Sequence, residues 1–153
     1  MALGSIDREI HIDAPVDVVF QVVSDPTHVA RWWPDEAHYQ AVPGGTGELV
    51  FSCAGGEQIE TFEVVDVVPP RLFSFRWTQP PGVPADAGNS FLVVFELSEE
   101  GTGTRLRMTE SGFLERGWET AVLEEAYRDH SAGWDYFLPR IAPYVAEYLE
   151  RVR

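Results

Sequence analysis

Two side chains in this sequence could share a proton in a place shielded from water: Glu110 and His130. Glu110 continues the alternation of Leu106 and Met108, so it shares one side of a strand with two apolar residues. A carboxylate on that side is desolvated and needs a partner. His130 falls on the apolar stripe of a helix near the C-terminus. The imidazole could bond Glu110 across a cavity, which is the geometry of an acid–base pair. Each residue also has a plainer role open to it. Glu110 could reach water or an arginine at a strand end, and His130 could be a satisfied structural histidine. Trp77, Met108, Tyr127, Trp134 and Phe137 complete the set expected to face one shared space with Glu110 and His130, because strand alternation and helix stripe both aim there. Gly133, beside Trp134, leaves a gap on the helix surface that admits either a ligand or a side chain of the sheet.

These residues need a sheet and a helix to position them. Tyr127, His130, Trp134, Phe137, Leu138, Ile141, Val145 and Leu149 recur at helical spacing. A helix including Gly133 to Leu149 follows, with Pro139 and Pro143 as places where it could bend. Upstream, Ile6 to Asp13 reads as a strand whose inward face carries one charged residue, Arg8. Pro15 starts a short helix through Val23, and Ser24-Asp25-Pro26 separates it from a second over Thr27 to Trp33. Strands are expected over His38–Val42, Glu48–Cys53, Gln58–Val68, Leu72–Thr78, Ser90–Ser98 and Thr104–Glu110, with turns at Ala54-Gly55-Gly56 and Gly101 to Gly103. Gln79 to Asn89, with three prolines and two glycines, is expected to be the most mobile loop. One long helix cannot bury its stripe alone, so it must lie on the sheet. The class is α+β. The whole chain, 1–153, is expected to form one domain with a flexible start at Met1–Ser5.

Composition narrows the function. The formal net charge is −14, and all eleven Lys/Arg positions are arginine. Such a chain repels phosphate backbones and anionic membranes, which argues against nucleic acid and membrane partners. The absence of lysine excludes Schiff-base catalysis and a P-loop lysine. The lone cysteine, Cys53, rules out an internal disulfide and is expected to be a small buried hydrophobe. His11, His28, His38 and His130 lack ligand spacing, so no metal is expected, and no cofactor either. No apolar run is long enough to span a membrane, and no secretory leader is visible. A cytoplasmic location follows by elimination.

Local wording adds a resemblance. Asp13-Ala14-Pro15, Asp25-Pro26 before Trp32-Trp33, and Pro43-Gly44-Gly45 occur in order. They are followed by Pro69-Pro70-Arg71-Leu72 leading to Trp77, Gly103-Thr104-Arg105-Leu106, Ser111-Gly112-Phe113 and His130-Ser131-Ala132-Gly133-Trp134. Together these resemble the START-like, or SRPBCC, superfamily, in its branch homologous to the activator of heat-shock-protein-ninety ATPase. The resemblance implies a helix-grip fold: a curved antiparallel sheet of six or seven strands wrapped around a long C-terminal helix, two short helices after the first strand, and a cavity between sheet and helix. It does not imply one activity, because the superfamily includes lipid carriers, polyketide cyclases and cochaperones. The expectation is therefore a module that binds a small apolar or aromatic molecule in that cavity. The alternatives are a cyclase- or dehydratase-type enzyme using Glu110 and His130, and a cochaperone-like protein-interaction module. The sequence leaves a homodimer open. It contains no G-x-S-x-G, H-E-x-x-H or C-x-x-C motif, so the catalytic inventory is thin.

Overall fold

A computed structural model describes residues 4–152. Of the expected flexible start, Met1–Leu3 lie outside the described residues, and Ser5 already belongs to the first strand. The chain runs β1 (Ser5–Ile12), α1 (Val16–Ser24), α2 (Pro26–Trp32), β2 (Glu36–His38), β3 (Thr46–Cys53), β4 (Gly56–Val68), β5 (Leu72–Trp77), β6 (Phe91–Glu100) and β7 (Gly103–Ser111). It closes with α3 (Thr120–Phe137), a 3-10 turn at Leu138–Arg140, and α4 (Ile141–Arg151). Seven strands form one antiparallel sheet in the order β1-β7-β6-β5-β4-β3-β2. After β1 the chain crosses through α1 and α2 to the far edge. It then returns by hairpins until β7 lies beside β1.

Register decides which side chains share the inner face. Glu110 is paired with Ile6 on one side and Val93 on the other. Val93 is paired in turn with Phe75, and Phe75 with Val64. Glu110 is thus the charged member of an otherwise apolar row, and every residue of that row is buried. Between Val64 and Val67 the register of β4 against β5 shifts by one extra residue, a bulge of the kind that bends a sheet.

The two short helices form where turn chemistry allows. Asp25 caps α2, its Oδ1 accepting from the amide of Thr27 at 2.8 Å, and Pro26 occupies the first helical position. The indole of Trp32 donates to the carbonyl of Val22 at 2.9 Å and fixes α2 against α1. Pro34 keeps Trp33 out of the helical region, and Trp33 leaves the helix with its ring among the core aromatics.

The C-terminal helix begins at Thr120, two turns before the expected stripe, and continues to Arg151 with one interruption. Pro139 lies in the interrupting 3-10 turn, where the amide it lacks would otherwise continue the α-helical ladder. Pro143 falls in the first turn of α4, where a missing N–H costs nothing. Arg8, the charged inward residue of β1, reaches Asp135 on α3 at 2.7 Å. Cys53 corrects one expectation: it is exposed, because β3 ends there at the hairpin turn, beyond the cover of the core.

Candidate functional site

Glu110 has no exposed surface, and three hydrogen bonds hold it. The indole Nε1 of Trp77 donates to Oε2 at 2.7 Å. The indole Nε1 of Trp134 donates to Oε1 at 2.9 Å, and Nδ1 of His130 bonds the same oxygen at 2.8 Å. An indole N–H can only donate, so the carboxyl group accepts from both tryptophans. The bond to His130 matches a donating Nδ1, which leaves Nε2 as the ring nitrogen without a partner among the described residues. One carboxylate therefore links β5, β7 and α3.

In front of this network is a cleft of about 130 Å³ between sheet and helix. Its walls are the rings of Trp33, Phe51, Trp77, Trp134 and Phe137. Asp129, His130 and Gly133 of α3 complete the lining. Trp33 is the hub, with ring centroids 5.1 Å from Trp77 and 4.9 Å from Trp134. A Cβ built on Gly133 meets no atom within 4 Å, so no sheet side chain fills the gap above that glycine. Asp129 is exposed and makes no hydrogen bond or ion pair with a described residue.

Of the residues expected from the sequence, the structure gathers Trp77, His130, Trp134 and Phe137 around the cleft, with Glu110 directly behind. Met108 does not line it, since its side chain lies wholly in the core. Tyr127 does not line it either. The Tyr127 hydroxyl donates to the carbonyl of Ser5 at 2.8 Å, and its ring meets Phe113 edge-on at 5.3 Å. Trp33, Phe51 and Asp129 were missed by the sequence reading. Phe51 shares the parity of buried Leu49 on β3, a signal that was legible. Trp33 follows the end of α2, where no periodicity applies.

Charged side chains surround the site. Arg116 lies 4.5 Å above the ring of Trp118 and 5.0 Å from that of Phe91, and burial pulls its guanidinium pKa down. The hydrogen bond to Asp135 pushes the pKa of Arg8 up, which keeps the link between β1 and α3 charged. A larger hollow of about 590 Å³ lies where His38, Glu48 and Glu63 meet loop residues Gln79–Pro84. It contains none of the inward indoles or the buried acid, so volume alone does not mark the site. Among the described residues, no group of three or more His, Cys, Asp or Glu side chains could hold a metal ion. No described helix is long and apolar enough to cross a membrane.

A curved antiparallel sheet closed on a long C-terminal helix, with two short helices after the first strand, defines a helix-grip α+β protein of the START-like type. The family described as Activator of Hsp90 ATPase homolog 1-like protein matches residues 13–146, and the chain belongs to that family. A protein from Mesorhizobium loti is similar over 94% of this chain and 97% of its own, at 21% identity and a TM-score of 0.70. DynU16, a protein of the dynemicin biosynthetic locus, is similar at 26% identity and a TM-score of 0.68. That likeness covers 94% of this chain and 47% of DynU16. The Aha1 dimer from Colwellia psychrerythraea matches at 20% identity and a TM-score of 0.66, over 95% of this chain and 96% of that one. Comparison with curated proteins gave no match.

Proposed function

We propose that the protein binds a small apolar or aromatic molecule in the cleft between sheet and C-terminal helix. The observation that carries this reading is the unfilled gap at Gly133. A glycine inside a helix costs about 1 kcal/mol against alanine, and here no neighbour occupies the space it leaves. The cleft's volume is close to that of an apolar cavity of about 150 Å³ known to hold one benzene-sized ring. The bound part of the ligand is then a single ring or a group of similar size. A cytoplasmic location and a homodimer belong to the same proposal, the dimer by analogy with the Aha1 of C. psychrerythraea.

Thermal melts with small aromatic compounds test the reading. A compound that binds only the folded state raises Tm by mass action. Gly133→Leu, which places a side chain in the gap, should abolish that rise while the variant stays folded. If no compound raises Tm, or if the rise survives in Gly133→Leu, the cleft is not the site.

The 2.8 Å contact between His130 and Glu110 favours a second reading, acid–base chemistry of cyclase or dehydratase type. His130 would meet the substrate through Nε2, and Glu110 would orient it. Turnover that falls by about 10²–10⁴ in His130→Gln, with ligand affinity kept, would establish it.

A further inference from the structure

We propose that the ligand of this cleft is an organic cation, with a quaternary or protonated amine seated against the tryptophans. The inference rests on the reading that the cleft holds a ligand, and it names the ligand's charge. Three indoles and two phenyl rings line the space, and the face of each carries the negative end of the ring quadrupole. Two of those indoles, Trp77 and Trp134, donate their N–H to Glu110. Donation to a carboxylate moves electron density into the ring, which strengthens its attraction for a cation. Glu110 itself cannot touch the ligand, because it is fully buried, and it acts only through the two indoles that donate to it.

The lining supplies an anion and no arginine. Asp129 is exposed and unpaired among the described residues. His130 is the basic group in the lining, and whatever charge its imidazole carries is balanced by Glu110 at 2.8 Å. Beside the cleft, Arg140 already lies over the rings of Tyr136 and Phe137, at 5.6 and 5.8 Å from their centroids. A lining ring therefore already takes a cation in this molecule. The net charge of −14 raises the local concentration of cations and repels carboxylates and phosphates. An anionic ligand would meet Asp129 with no counter-charge in the lining, and a neutral ring would leave Asp129 unused.

The test is a fluorescence titration of the intact protein with benzyltrimethylammonium and with neopentylbenzene, in which carbon replaces the charged nitrogen. The three lining tryptophans report occupancy. The cation should bind about tenfold more tightly than its uncharged isostere. Asp129→Asn should reduce that preference about threefold and leave Tm unchanged, because the wild-type side chain has no partner among the described residues. Equal or tighter binding of neopentylbenzene overturns the cation inference and leaves the apolar site standing. Failure of both compounds to bind removes the ligand reading and this inference with it.

Discussion

A carboxylate cut off from water survives only if donors replace the water, and Glu110 has three. Glu110→Gln keeps the shape but turns an amide N–H₂ toward groups that themselves donate. The change should destabilise the protein by about 1–3 kcal/mol in chemical denaturation, before any effect on a ligand. A cost near zero would mean that the network does not hold β7 to α3. His11 gives the residue scale a pH dependence. Its ring lies between Glu100 at 2.7 Å and Asp13 at 2.9 Å, and these hydrogen bonds, that of Glu100 first, raise its pKa above the ordinary 6.5. Arg105, paired with Glu9, also approaches Glu100 at 3.8 Å, so the acid is shared. The folded pKa is raised, so the stabilisation is fully present below the unfolded value and is lost as pH rises through the folded one. An NMR titration should place the pKa of His11 above the ordinary histidine value, and His11→Gln should remove that part of the pH dependence of Tm. An unshifted His11 would refute the pairing.

Among the elements, α3 shows best what the sequence could and could not reveal. Its stripe from Tyr127 onward was legible because long apolar side chains recur at 3.6-residue spacing. Its first two turns were not, because in Thr120–Ala126 only Leu123 is buried and the period has nothing to repeat. Strand parity was the most reliable signal, and it placed Glu110 inward although its partners lie 20, 24 and 33 residues away in sequence. Parity fails at strand ends, as Cys53 shows, and between elements, where Trp33 enters the site from a helix terminus. Asp129 gives no sequence signal of the site, because a helix's polar edge and a cleft's mouth look the same in one dimension. The helix also yields a direct prediction. Gly133→Ala adds a Cβ that meets nothing within 4 Å, at a position with ordinary helical backbone. It should stabilise the protein by about 1 kcal/mol, seen as a rise in Tm. A fall would mean that the gap is smaller than the geometry shows.

At the scale of the whole molecule, the open edges of the sheet and the net charge are one problem. β1 and β2 are the edge strands, and an edge invites pairing with another chain. β2 is only three residues long. β1 carries Asp7, Arg8, Glu9 and His11, and its cross-strand partners on β7 include Arg105 and Arg107. The Asp7–Arg107 contact of 2.6 Å lowers the pKa of Asp7, so that pair keeps its charge until the solution is strongly acidic. These exposed pairs each contribute only about 0–1 kcal/mol and weaken with salt. Against them stands the mutual repulsion of fourteen uncompensated negative charges, which salt also screens. The two effects have opposite signs, and the excess charge outnumbers the pairs. Tm should therefore rise as NaCl increases from about 0.01 M, where the Debye length is ~30 Å, to about 0.15 M, where it is ~8 Å. For a domain of this size each kcal/mol gained corresponds to about 2–4 °C or somewhat more. A Tm that falls with salt would show that the ion pairs along β1 and β7 dominate. Arg107→Gln would then flatten the salt dependence, while under repulsion, with one fewer positive charge, it makes the rise steeper.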